Sequence, residues 1–232
     1  MPDPIRLAVL ISAGGTTLQN LIDRIAQGRL AAQIGVVVSS NADAYGIERA
    51  RRAGLPVGVV PYRDYPDPEQ FSRRIFEQCR AAGVDLVCMA GFLRPLRIAA
   101  DFAGRVMNIH PALIPAFCGR GYYGLHVHRA VLQAGVKITG CTVHFADDEY
   151  DHGPIILQRA VAVEDDDTPE SLAQRVFAVE CEAYPTAIEW FAQGRLEVTG
   201  RRVRVRPLPA TPGPPANRPG SERPAPSDSP TT

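Results

Sequence analysis

Cysteine is scarce and poorly placed for covalent cross-linking. The 232 residues hold five, Cys79, Cys88, Cys118, Cys141 and Cys181. An odd count without a CxxC pair excludes a disulfide framework and a cysteine zinc site, and the five read as reduced, mostly buried thiols. Net charge is also lacking: 25 basic residues balance 25 acidic ones, so no overall field draws the chain to nucleic acid or to an anionic membrane. A charged ligand must be held by a local site. Long hydrophobic runs are missing too. The apolar stretch Leu7 to Ile11 is too short for a signal segment and far too short to span a bilayer, which points to a cytoplasmic protein with no membrane partner. Neither GxxxxGK[ST] nor GxGxxG occurs, so nucleoside triphosphate and dinucleotide readings lose their main support. No internal repeat is present.

What is present is alternation. Short, continuous apolar runs suited to strands buried on both faces (Ile5 to Ser12, Ile34 to Ser39, Val57 to Val60, Val84 to Met89, Arg105 to Ile109) are separated by stretches of helical period. Those stretches are Leu18 to Ala26, Tyr45 to Ala53 and Pro68 to Ala82, with Gly28, Gly54 and Gly83 at their ends. The pattern predicts an α/β fold built on a mostly parallel, Rossmann-like twisted sheet flanked by helices, with ligands at the C-terminal strand ends. Beyond His110 the pattern changes to a long Gly- and aromatic-containing loop and a helix over His128 to Ala134. Two strands, Lys137 to Phe145 and Ile155 to Val163, then pair antiparallel. A long helix from Pro169 to Gln193, capped by Thr168 and kinked at Tyr184-Pro185, is followed by a hairpin over Leu196 to Val205. One domain over 1–206 is expected, then a Pro-rich disordered tail over 207–232.

Three places can carry chemistry. The first strand-to-helix junction, Ser12-Ala13-Gly14-Gly15-Thr16-Thr17, is either a capped turn or an anion cradle of backbone N–H groups. Asn108 and His110 lie two apart at a strand end and so face the same way, where a carboxamide and an imidazole can converge on one atom. Their bland reading is a histidine satisfied by neighbouring backbone. Asp151 opens the tight turn Asp151-His152-Gly153-Pro154. Asp147, Asp148 and Glu149 crowd it, and like charges disfavour ionisation, which would leave a carboxyl poised to exchange protons, unless the run is a solvated hairpin tip. The five histidines lack zinc spacing, and no metal is expected.

Asn108-Ile-His110-Pro111 with Leu113-Ile-Pro115, followed by Asp151-His-Gly153-Pro154, resembles the formyltransferase fold of 10-formyltetrahydrofolate enzymes. The resemblance runs from about Ile5 to Leu196 and takes in Ala42 to Gly46, Ala90 to Arg94, Gly140 to Phe145 and Glu180 to Pro185. It is nearest the branch that formylates glycinamide ribonucleotide in purine synthesis. It implies Asn108, His110 and Asp151 as the catalytic set, and Gly14, Gly15, Thr16 and Thr17 as the cradle of the substrate's ribose phosphate. Glu180 would help to hold glycinamide ribonucleotide. Arg94, Pro95, Leu96, Asn108, Val143 and Asp147 would surround the folate, with 10-formyltetrahydrofolate as co-substrate and no metal. The partners implied are small molecules only, with the chain a monomer or homodimer. Two departures stand out. Ala13 to Thr17 replaces the family's Gly-Asn-Gly-Ser-Asn, and the loop Ala116 to Leu125 is longer, inserting Arg120, Tyr122 and Tyr123. A formyltetrahydrofolate deformylase and a non-catalytic phosphometabolite-binding module remain as alternatives, and a tRNA formyltransferase is disfavoured by the charge balance and the lack of a C-terminal domain.

Overall fold

The computed structural model describes residues 4–208. The tail expected over 207–232 lies outside the described residues from 209 onward. In chain order the elements are β1 (Ile5–Ile11), α1 (Thr16–Ala26), β2 (Ala32–Ser39), α2 (Tyr45–Arg52), β3 (Val57–Val59), α3 (Pro68–Ala81), β4 (Leu86–Met89) and β5 (Val106–His110). There follow α4 (Leu125–Gln133), β6 (Ile138–Phe145), β7 (Ile155–Ala162), α5 (Pro169–Ala192), β8 (Leu196–Thr199) and β9 (Arg202–Val205). The strands form one sheet in the order β3-β2-β1-β4-β5-β6-β7-β9-β8. The first five are mutually parallel. β6 reverses direction against β5, β7 against β6, and β8 against β9. The expected parallel sheet with an antiparallel C-terminal extension is the observed architecture.

Strand pleating divides β1 between two cores. Leu7, Val9 and Ile11 pack in a cluster with residues of α1, α2, α4 and α5, while Ala8 and Leu10 pack with residues of α3 on the other face. That is why this strand reads as an unbroken apolar run rather than an alternating one. Fully burying one such leucine contributes about 1.5–3 kcal/mol.

Several local expectations hold with adjustments. α1 begins at Thr16, two residues earlier than its apolar period, because Gly15 takes the left-handed conformation (φ 70°) as N-cap. α4 likewise begins at Leu125, ahead of His128. Thr168 caps α5 with Pro169 next, and Ser171 completes a reciprocal capping box. α5 runs on through Pro185. Proline lacks an N–H to give the carbonyl four residues back, and that carbonyl, of Cys181, accepts instead from Asn20 Nδ2 of α1 at 3.1 Å. Tyr184 ties α5 to the sheet, donating to Met89 O (3.1 Å) and Met107 O (2.9 Å). Among the described residues no helix is long and apolar enough to cross a membrane.

Candidate active site

The site forms at the seam where the parallel sheet turns antiparallel. Cross-strand register sets Asn108 opposite His144 and His110 opposite Thr142. The pleat turns all four toward one face, and Val143 between them points into the apolar core.

His110 is buried, 3% exposed. Its Nε2 stands 2.8 Å from the carbonyl oxygen of Phe117. A carbonyl only accepts, so Nε2 carries the proton and Nδ1 presents its lone pair. Nδ1 faces Asp151 Oδ2 at 3.4 Å. Burial pushes the His110 pKa below the ordinary histidine value, against the opposing pull of the Asp151 charge, so the ring is neutral at rest.

His144 Nδ1 stands 2.8 Å from Phe145 O, which fixes the other tautomer there and frees Nε2 to accept. Asn108 Nδ2 donates to that Nε2 at 3.2 Å and to Asp151 Oδ1 at 3.2 Å. Asp151 Oδ2 accepts from the Gly119 N–H at 2.9 Å. Burial alone would raise the Asp151 carboxyl, but the imidazoles of His144 and His110, in their protonated form, together with the Gly119 N–H outweigh it and hold the group below the usual carboxylate range. The acidic neighbours expected to disfavour its ionisation are not among the groups that shift it. Those neighbours turn to other partners: Asp147 Oδ2 to His152 Nδ1 at 2.7 Å, and Asp148 Oδ1 to the Ile98 N–H at 2.9 Å. Asp151 is therefore ionised at neutral pH.

The loop after His110 is held from β6 and β7. Thr142 Oγ1 donates to Ala112 O (2.7 Å) and accepts from the Ile114 N–H (3.1 Å), while Gln158 Nε2 donates to Ile114 O (3.0 Å). Further along, Phe117 takes a left-handed backbone (φ 51°), and the inserted Arg120, Tyr122 and Tyr123 are exposed. The insert thus reaches the site through its backbone, at Phe117 O and Gly119 N–H, rather than through the side chains that mark it in the sequence.

Beside this network opens a cleft of about 480 Å³, counting its mouth. Arg94, Pro95, Leu96, Asn108 and Asp147 line it, with Met89, Phe92, His144 and Asp151. Val143 does not, since its side chain is fully buried in the core. The mix of apolar walls with a few convergent polar groups suits a flat heteroaromatic ligand.

At the β1–α1 loop, α1 has no side-chain cap and no acidic residue in its first turn, the condition under which a helix N-terminus accepts an anion. A Cβ at Gly15 would meet Gly46 Cα at 2.7 Å, so the loop requires glycine there. Arg49 Nε donates to Gly14 O at 2.9 Å, bringing a guanidinium beside Gly14, Gly15, Thr16 and Thr17. Glu180, on α5, stands apart from the cleft walls. It is 9% exposed, and burial pushes its carboxyl up to about 8.

Two contributors escaped the sequence reading. His144 lies 36 residues from Asn108, and only the β5–β6 register brings them together; its place two residues after Thr142 in an apolar strand was the available signal. Phe117 acts through its carbonyl, which no side-chain pattern reveals. Among the described residues no three His, Cys, Asp or Glu side chains stand close enough to hold a metal ion.

The formyl transferase family model matches residues 5–188. Phosphoribosylglycinamide formyltransferase of Escherichia coli is 38% identical over 196 residues, 84% of this chain and 90% of that one. The trifunctional purine biosynthetic protein adenosine-3 of Gallus gallus is 39% identical over 84% of this chain, which spans 19% of that longer protein. The crystal structure of glycinamide ribonucleotide transformylase 1 from Symbiobacterium toebii superposes with a TM-score of 0.81 at 46% identity, covering 89% of this chain and 96% of that one. With the family model matched over residues 5–188 and the fold shared over 89% of the chain, the chain belongs to the formyl transferase family.

Proposed function

We propose that this enzyme transfers the formyl group of 10-formyltetrahydrofolate to the amine of glycinamide ribonucleotide, through one domain over residues 1–206. The observation that carries this reading is the connected set Asn108, His144 and Asp151 at the wall of a cleft of mixed apolar and acidic lining, with His110 behind it, 3.4 Å from Asp151. The names of the relatives support the same acceptor.

The chemistry follows from the protonation states. The amine lone pair forms a bond to the formyl carbon, and the carbonyl π pair moves to oxygen. Asn108 donates to that oxyanion, giving up one of its two resting contacts to do so. The proton released by the attacking nitrogen goes to the ionised Asp151 carboxylate. His110 Nδ1, 3.4 Å from that carboxylate, can share the proton, and the resulting imidazolium further stabilises the oxyanion. When the oxyanion collapses, the bond from carbon to N10 breaks and the proton passes to N10. The cleft beside Arg94, Pro95, Leu96 and Asp147 would hold the folate, and Gly14 to Thr17 the ribose phosphate. Glu180 would meet the ribonucleotide.

The test is incubation of the purified protein with 10-formyltetrahydrofolate, with and without glycinamide ribonucleotide, following tetrahydrofolate and the formylated amine together. Formylation stoichiometric with tetrahydrofolate release, and dependent on the ribonucleotide, is the expected result. Equal release of formate without the ribonucleotide would replace transfer with hydrolysis.

A further inference from the structure

We propose that Arg201, at the turn of the β8–β9 hairpin, is a positioning residue for the Asp151 carboxylate and acts through His152. The proposal rests on the formyl-transfer reading of the site.

Arg201 reaches across to the turn that follows Asp151. Its Nη2 donates to the carbonyl oxygen of His152 at 2.7 Å, and its Nη1 stands 2.6 Å from His152 Nε2. A guanidinium carries donors only, so Nε2 must be the accepting nitrogen and the ring proton sits on Nδ1. Nδ1 then donates to Asp147 Oδ2 at 2.7 Å. The imidazole is thereby neutral, in one tautomer, and stretched between a cation on the hairpin and a carboxylate on the β6–β7 loop. The fork of the guanidinium fixes both the ring and the backbone of one residue, which a single ammonium cannot do.

Residue 152 immediately follows Asp151, whose backbone is left-handed at φ 52°. Non-glycine residues take that conformation uncommonly, aspartate more readily than most, so contacts on either side of it decide how firmly it is held. On the far side the turn is pinned: a Cβ on Gly153 would lie 1.9 Å from Phe145 O, and the Phe145 N–H donates to Pro154 O at 2.9 Å. On the near side the only backbone anchor at residue 152 among the described contacts is Arg201. The hairpin itself joins β7 through one residue pair, Ile155 with Arg202, adjacent to Arg201. Both Arg201 and His152 are exposed, so the clamp adds little to global stability. Its consequence is the aim of Asp151, the one carboxylate that touches both Asn108 and His110.

The experiment compares Arg201→Ala, His152→Ala, the double variant and Arg201→Lys with wild type. Arg201→Ala is expected to lower kcat roughly tenfold, with KM for both substrates within about twofold and the melting temperature unchanged, a misplacement effect rather than a binding one. Arg201→Lys should recover only part of the loss. The double variant should be about as slow as the slower single, because both act along one chain of contacts. An independent readout is hydrogen exchange at the Gly119 N–H, which bonds Asp151 Oδ2. It should quicken in Arg201→Ala while the β1 and β4 amides stay protected. Unchanged kcat and unchanged Gly119 exchange would overturn the proposal. So would a kcat loss that merely tracks a fall in melting temperature. Were wild type to transfer no formyl group, the functional reading would fail, and Gly119 exchange would still decide for or against the clamp.

Discussion

The two halves of the sheet divide the labour of the molecule. From β2 to β5 the strands are parallel, apolar on both faces and largely buried between two cores, and the side chains within them mainly pack. From β6 to β8 the strands run in mixed directions and expose residues such as Ile138 (63%) and Val198 (46%); β6 itself presents His144, and the turn after it presents Asp151 and His152. The candidate chemistry sits where the halves meet, at the pairing of β5 with β6. The parallel half supplies Asn108 and His110 at a strand end, and the other half supplies His144 from β6 and Asp151 from the loop after it. Substitutions in the first half should therefore cost stability first, and substitutions at the seam should cost turnover first.

The largest effect is expected at the seam itself. Asn108→Ala and His110→Ala should each lower kcat by about 10²–10³-fold while the protein remains folded by circular dichroism, the scale found when an oxyanion donor is removed. Near-normal rates in either would break the division. His144→Ala sharpens it. The variant leaves Asn108 with one partner, Asp151, instead of two, and the carboxamide becomes free to turn away from the oxyanion position. A kcat loss of up to about a hundredfold is expected, with folate binding retained in a titration.

A matching substitution in the parallel half should do the reverse. Leu10 is fully buried in the α3-side core. Leu10→Ala should destabilise by about 2–5 kcal/mol in urea unfolding while leaving kcat close to wild type at temperatures where the protein stays folded. If kcat fell as far as stability did, the parallel half would be part of the chemistry and not only its frame.

The same division governs what the sequence made legible. The parallel half announces itself because burial on both faces turns a strand such as Ile5 to Ile11 into one apolar run, and because glycines follow its helices. Asn108 and His110 were visible because two residues at an i, i+2 spacing share a face whatever the strand's neighbours. The seam was less legible. His144 becomes a site residue only through the register of two strands 36 residues apart, and Phe117 and Gly119 contribute backbone atoms that any residue type carries. The acidic run before Asp151 misled, because spacing along the chain says nothing of which way each carboxylate turns. Asp147 and Asp148 find partners of their own, and Asp151 is held by His144, His110 and Gly119 instead. Glu180 stood out through the resemblance alone. Its burial, which gives it a distinct pH behaviour, is a property of how α5 packs.

That behaviour supplies the smallest and most specific expectation. Burial pushes the Glu180 carboxyl from an ordinary 4.5 up to about 8, so the folded protein keeps this proton over a range where the unfolded chain has released it. The native state therefore binds more protons than the unfolded one between about pH 4.5 and 8, and this residue's contribution to stability falls as pH rises through that window. Below the window both states are protonated and the residue is neutral in its effect; above it the folded protein carries a buried, unpaired charge. Glu180→Gln removes the titration and keeps the shape. Its melting temperature relative to wild type should rise steadily from pH 4.5 to 8 and level off beyond, while its KM for glycinamide ribonucleotide rises, because the carboxyl that burdens the fold is the one proposed to meet the substrate. A melting-temperature difference independent of pH would mean that Glu180 is not buried as described. A pH-dependent difference with an unchanged KM would leave Glu180 a cost to the fold without a return at the site, and would move the ribonucleotide's contacts back to the β1–α1 loop.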